Sequence, residues 1–414
     1  MTGAGGRSEF RLGAKPLAAA LIGVACGASP LPFNVLPLVM GPISREFHWD
    51  FAATSAGITV FGIIAALLAP VFGALSDRFG VRPVALTSLV LFALVFASFY
   101  FLPSSKIGYL LFWGILGAIG IGSTPVTWSR AISMWFNRHR GLALGIMLLG
   151  TSLAAMIVPQ IAQRAITLGD WRLAFPIVAL LPLMIALPLG YLWFHEPRPE
   201  ERPEGIADAS GAVLGDTLKE AASGYRFWIL FASILITAFA YGGAHIHIAQ
   251  IVGLHGFSPE VAASVLGVVA LGILVGRLLV GFLFDRLWAP GVAFPALLLP
   301  AVACWLLMGT QAALSHVIIG GFLLGFAAGT ESDIIAYLAA KYFGMAHYGR
   351  IYGVLYIPFA VGSAISPIIY GLVRDRTGSY DLILALAMAL FAIGGALLLM
   401  LGRYPAPKPL ASGN

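Results

Sequence analysis

Arg277, Glu331, Asp333, His245 and His247 all sit inside long apolar runs of the chain. A charged side chain placed in hydrocarbon costs several kcal/mol, so an ionisable group there marks function by default. A guanidinium is suited to gripping a carboxylate, because its planar fork donates two parallel hydrogen bonds. A carboxyl group or an imidazole can take up and release a proton. These residue types are therefore suited to holding an anion and to moving a proton. They do not point to bond making: no nucleophile–base set stands out, and no metal is expected, because His245 and His247 are two residues apart and so place their rings on opposite faces of a helix. No cofactor is implied either.

Two readings of Arg277 compete. It binds the anion while Glu331 or Asp333 carries the proton, or it forms a permanent ion pair that merely pins two helices. The first is preferred. Glu331 and Asp333 are themselves two residues apart and cannot share one helix face, so the sequence leaves open which of them takes the proton. Of the two histidines, His247 is the stronger candidate for proton exchange, at an outer access site; the preceding Gly242-Gly243 allows the helix to bend.

These groups need elements that hold them inside a membrane. The chain has 414 residues, of which 59% are apolar and only 10% charged, with a mean hydropathy of +0.92. That is far from the composition of a soluble domain. A helix needs about 20 apolar residues to cross roughly 30 Å of hydrocarbon. Twelve segments fit, at about 16–43, 52–75, 83–102, 107–134, 141–166, 172–194, 226–252, 259–284, 291–312, 315–342, 348–373 and 379–402. The first is read as a helix that stays rather than a cleaved leader. Arg277 in span eight lies eight residues before Asp285, and Asp333 in span ten lies eight before Lys341. At 1.5 Å per residue both lie about 12 Å inside the boundary, with Glu331 about 3 Å deeper.

Lys and Arg set the orientation. With the N-terminus cytoplasmic, sixteen basic residues fall on the inner side and six on the outer. Both termini are thus expected in the cytoplasm, as in a bacterial inner membrane. The scattered basic residues account for the net charge of +6 without a nucleic-acid-binding stripe. Cys26 and Cys304, the only cysteines, fall in apolar runs and suggest no disulfide framework. No Gly-Lys dipeptide occurs, which argues against a phosphate-cradling loop and direct ATP drive. The longest polar stretch, 195–225, reads as a cytoplasmic linker between six-helix halves at 1–194 and 226–414. A plain linker is preferred there over a short amphipathic surface helix at Val213–Ala222.

The halves repeat. Gly73-Ala74-Leu75-Ser76-Asp77-Arg78 returns as Gly281-Phe282-Leu283-Phe284-Asp285-Arg286, an offset of 208. Gly141, Gly145 and Pro159 keep that offset to Gly349, Gly353 and Pro367. Duplicated membrane bundles place a site at the interface between halves and work by rocking one against the other.

The run from Gly73 to Arg82 resembles the signature between spans two and three of the major facilitator superfamily. Gly73, Leu75, Asp77, Arg78 and Gly80 supply its pattern, while one basic position is Val81 here. The resemblance covers nearly the whole chain and implies an all-α membrane protein of twelve transmembrane helices in two pseudo-symmetric halves. It also implies that Asp77 with Arg78, and Asp285 with Arg286, form gates. Asp77 would meet the start of span eleven and Asp285 the start of span five, where a helix N-terminus favours a carboxylate by ~0.3–1 kcal/mol.

Trp135–Gly145, Tyr342–Gly353 and Gly276–Gly281 resemble the monocarboxylate porter and oxalate–formate antiporter branch. That resemblance implies an organic anion as substrate and aligns Arg277 with the arginine that holds its carboxylate. Span one has no Lys or Arg between Lys15 and Arg45, and span eleven none between Arg350 and Arg374. With one central cation, a monoanion is favoured over a dianion. Polar candidates for the cleft are Asn34, Thr127 and Tyr356, with Ser123, Thr124 and Ser129 nearby and Trp128 and Phe359 shaping its wall. Arg130 is expected to snorkel to the headgroups.

The expected function is secondary transport of a small organic monocarboxylate with a proton. The rivals are efflux of an apolar drug or siderophore, which the same fold supports, and a non-transporting membrane sensor.

Overall fold

The computed structural model describes residues 5–49, 51–206, 213–309 and 311–405. The chain is a bundle of twelve membrane-spanning segments in two six-helix halves. Eleven helical segments among the described residues are long and apolar enough to cross a bilayer. They include Ala53–Phe79 (span two), Lys106–Trp135 (four), Arg140–Thr167 (five), Tyr225–Ile246 (seven), Ser264–Phe284 (eight), Leu314–Phe343 (ten) and Tyr348–Thr377 (eleven).

Span one departs from expectation. It starts earlier and is broken into Gly5–Ala25 and Leu31–Phe47. Pro30 has no N–H to give and disfavours helix at Ser29, so the chain opens between the two pieces. A freed backbone group inside a membrane needs a partner. The Ser123 hydroxyl of span four supplies one, accepting from the Ala28 amide at 3.0 Å. Span four is interrupted at the same level: Ile121–Ser123 is a 3-10 turn, Thr124 is extended, and helix resumes at Pro125. Span seven also stops short of expectation, at Ile246, and Ile248–Leu254 follows as a separate short helix.

Part of the linker takes the form that was not preferred. Leu218–Ser223 is a short helix, closed by a reciprocal capping box between Thr217 and Glu220. Residues 207–212 of the linker lie outside the described residues. Ahead of the helix, Leu214 accepts from the Met345 and Ala346 amides at 2.8 and 3.2 Å. The linker is thereby tied to the loop between spans ten and eleven.

The apolar core divides in three. One cluster, with Leu31, Phe99, Tyr109 and Phe175, belongs to the first half. Another, with Ala240, Cys304, Tyr370 and Phe391, belongs to the second. The third mixes both halves and gathers Trp135, Phe136, Phe284, Tyr337 and Tyr348 around the Asp77 and Asp285 end. The halves share their core at that end.

Close backbone approach makes the shared end possible. A Cβ added at Gly73 would lie 1.9 Å from the Gly349 carbonyl oxygen, and one at Gly141 would lie 2.3 Å from that of Gly281. The reverse approaches, Gly349 to Gly73 and Gly281 to Gly141, are 2.5 and 2.6 Å. The crossing of spans two and eleven therefore repeats, at the offset of 208, in the crossing of spans eight and five. Small residues let membrane helices approach this closely. Gly141→Val is expected to hold the two helices apart and open this end of the bundle. A cysteine introduced at the buried Ser76 should then react faster with a polar thiol reagent. Unchanged labelling in a folded variant would contradict this.

Candidate functional site

The shared end is closed by carboxylates. Asp77 Oδ1 accepts from the Gly349 amide at 3.0 Å and Oδ2 from the Arg350 amide at 2.9 Å. Asp285 Oδ1 accepts from Gly141 at 2.7 Å and Oδ2 from Leu142 at 2.9 Å. Each acid thus caps the first turn of a helix in the opposite half, where unpaired N–H groups and the helix dipole favour negative charge. Burial pushes the Asp285 carboxyl up to about 6, against the pull of its two amide donors.

The two caps differ in one respect. Arg130 donates its Nε to Asp77 Oδ1 at 2.6 Å, and both side chains are under 10% exposed. The expectation that Arg130 snorkels to headgroups is therefore corrected: it turns inward because a buried carboxylate lies within its reach. The position 208 residues later is Leu338, so Asp285 has no such arginine. Arg78 and Arg286 are exposed instead, lying over the rings of Phe79 and Phe282 at 5.1 and 4.0 Å.

A further acid, Glu9, was missed by sequence reasoning. It accepts from the amides of Asn137, Arg138 and His139 at 3.0–3.2 Å, just ahead of span five. At the equivalent loop of the second half, the Leu214 carbonyl serves. A lone glutamate near the start of the chain gave no signal of this role.

Deeper in, Arg277 reaches across to span five of the other half. One of its Nη groups donates to the Leu148 carbonyl and, at 2.7 Å, to the Thr151 hydroxyl. Its Nε is buried without a partner among the described residues. Asp333 lies close enough for its charge to act on Arg277, and its Oδ2 would be 3.6 Å from a Cβ on Gly145. Glu331 takes a different direction, towards span seven, where its Oε1 is 3.2 Å from the Thr237 hydroxyl.

Thr237, Tyr241 and His245 lie four residues apart on one face of span seven. The rings of Tyr241 and His245 stack at 5.2 Å, and Tyr241 lies within electrostatic reach of both Glu331 and Arg277. The ladder of polar residues was visible in the sequence and was overlooked because it holds one charge-capable member. His247 sits apart from it. Its Nε2 must donate to the Pro367 carbonyl, 3.0 Å away, so its Nδ1 accepts from the Tyr380 hydroxyl at 2.9 Å. That geometry ties span seven to spans eleven and twelve.

The polar candidates scatter. Asn34 donates to the Pro30 carbonyl at 2.8 Å, bracing the broken span one. Thr127 is fully buried, its hydroxyl without a hydrogen-bond partner among the described residues. Tyr356 packs on Phe359 with ring centres 5.5 Å apart. Among the described residues no three His, Cys, Asp or Glu gather as metal ligands.

A duplicated twelve-span bundle with cross-capped helix starts and a buried charge cluster between the halves defines a membrane transporter rather than an enzyme. The family model described as Major Facilitator Superfamily matches residues 22–367, and the chain belongs to that family. It is 27% identical over 370 residues to human monocarboxylate transporter 11, covering 85% of this chain and 74% of that protein. It is 24% identical over 396 residues to the 3-(3-hydroxy-phenyl)propionate transporter of Escherichia coli K12, covering 94% and 91%. The crystal structure of the E. coli fucose:proton symporter FucP shares the fold, with a TM-score of 0.68 at 15% identity, over 95% of this chain and 99% of that one.

The unequal caps lead to unequal losses. Asp77→Asn leaves Arg130 buried without its countercharge, and breaking such a pair costs about 3–5 kcal/mol. Asp285→Asn breaks no contact ion pair; it weakens the cap bonds, a loss of about 1 kcal/mol, and removes a charge that acts on Lys341 and Arg140 from further away. Thermal unfolding in detergent should show the larger drop for Asp77→Asn; equal drops, or the reverse order, would contradict the pairing.

Proposed function

We propose that this transporter carries a small organic monocarboxylate together with a proton, and that Arg277 anchors the carboxylate. The observation that carries the reading is the placement of Arg277. It is a buried cation at the seam between halves, bound to the opposite half through one side of its fork, with Nε unpartnered among the described residues. A carboxylate arriving at the seam can take the free edge of that fork. In doing so it competes with Leu148 and Thr151 for the guanidinium and loosens a bond between spans eight and five. Binding is thereby coupled to the contact that must change when the halves rock.

The aromatic rings of Tyr241, Tyr356 and Phe359 suit the apolar part of an organic acid. The names of two relatives, a monocarboxylate transporter and a hydroxy-phenylpropionate transporter, support the substrate class. In this reading residues 1–194 and 226–414 are the moving bodies and 195–225 joins them. Both termini lie in the cytoplasm, so the face closed by Asp77 and Asp285 is the inner one. Proton uptake by an acid of span ten accompanies binding of the anion, and proton release coincides with release of the anion before the empty carrier returns.

The test is uptake of labelled monocarboxylates, aliphatic and aryl-substituted, into proteoliposomes under an inward proton gradient. Truncating one partner of a buried charge pair costs ~2 kcal/mol or more, so Arg277→Ala should lower uptake at least ~30-fold. Arg277→Lys keeps the charge but loses the fork and should fall between. Undiminished uptake by Arg277→Ala would remove Arg277 from the site. Transport of apolar compounds, with none of the acids moved, would replace the substrate class.

A further inference from the structure

The repeat offset relates two contacts deep in the bundle. Glu331 lies 208 residues after Ser123, and Thr237 lies 208 after Ser29. In the first half, span four crosses the break in span one through Ser123, which accepts from Ala28 and donates to the Gly120 carbonyl at 2.7 Å. In the second half, span ten crosses span seven at the equivalent level through Glu331 and Thr237. The duplication has placed an ionisable acid where the first half keeps a hydroxyl.

Donor counting decides the form in which that acid fits. The Thr237 hydroxyl has one proton and lies 2.8 Å from the Ser233 carbonyl, closer than its 3.2 Å to Glu331 Oε1. A backbone carbonyl and an ionised carboxylate can both only accept, so with Glu331 ionised the single hydroxyl proton cannot serve both. With Glu331 protonated, the hydroxyl donates to the Ser233 carbonyl and the carboxyl donates to the hydroxyl oxygen, and all three groups are satisfied. Glu331 is 5% exposed and makes no ion pair among the described residues. A buried carboxylate with no ion pair and only a shared donor is costly. Asp333, by contrast, lies within reach of the Arg277 charge.

The groups brought by neighbouring elements fit this division. Span seven contributes Tyr241, with His245 one turn further on; span eight contributes Arg277; span eleven contributes Tyr352 and Tyr356. Span five has no titratable residue between Arg140 and Arg164, and span nine has only Cys304.

Building on the proton-coupled reading, we infer that Glu331 is the acid that carries the proton, that Thr237 positions it, and that Asp333 remains the ionised partner of Arg277. Two readouts test this. Infrared spectroscopy of the substrate-free protein at neutral pH should show the carbonyl stretch of a protonated, buried carboxylic acid. Glu331→Gln should remove that band, Asp333→Asn should leave it, and Thr237→Val should shift it without removing it. In proteoliposomes, Glu331→Gln should lose accumulation driven by a proton gradient yet retain exchange of labelled for unlabelled acid. A band that survives in Glu331→Gln and disappears in Asp333→Asn overturns the assignment, as does gradient-driven accumulation by Glu331→Gln. The band is read without substrate, so its loss in Glu331→Gln supports the assignment even if no acid in the panel is transported.

Discussion

Two carboxylates, each at the end of a helix in one half and capping the start of a helix in the other, are the constraint on which the rest of this molecule depends. Asp77 and Asp285 can meet their amides only because Gly73, Gly349, Gly141 and Gly281 let the helix backbones come together. The shared apolar core gathers at the same end, while each half keeps a separate core elsewhere. Apolar side chains gain little from leaving lipid for another helix, so packing and polar contacts must supply the adhesion between helices. Charged caps on helix dipoles provide an adhesion that is directional and can be broken.

Duplication explains the symmetry of that scaffold, and departures from it explain the chemistry. Arg130 strengthens one cap and has only Leu338 as its counterpart. Arg277, Glu331 and Asp333 correspond to Ala69, Ser123 and Pro125 in the first half. The first half therefore offers backbone, hydroxyls and apolar surface, and the second half carries the ionisable groups. Arg277 joins the two by bonding to Leu148 and Thr151, so the charge cluster feels any movement of one half against the other.

Much of this was legible in the sequence, because spans, repeat and cap residues are each fixed by local residue types at fixed spacing. The resemblance of Gly73–Arg82 to the facilitator signature implied which helix starts the two acids meet, and length and hydropathy marked out the spans. What escaped was set by partners far away in sequence. Arg130 looked like a headgroup anchor until Asp77, 53 residues earlier, was brought beside it. The break in span one was written in Gly27 and Pro30, yet its stability depends on Ser123. Glu9 and Leu214 serve equivalent loops with unlike chemistry, a carboxylate in one half and a carbonyl in the other, so no motif could report them. Within the candidate site, Thr237 and Tyr241 were passed over because uncharged polar residues in a membrane helix are common, and only the position of Glu331 gives them meaning.

The two carboxylate caps tie the halves together at one face of the bundle. The chain's own cysteines, Cys26 and Cys304, are buried, so spin labels can be placed on cysteines at the exposed positions Arg138 and Leu287, one in each half. Pulsed electron spin resonance would then read the distance between halves at that face. A narrow, short distribution should become long and broad when Asp77 and Asp285 are both replaced by asparagine, because the cap bonds then no longer hold the halves together. A distribution unmoved by the double replacement would contradict it.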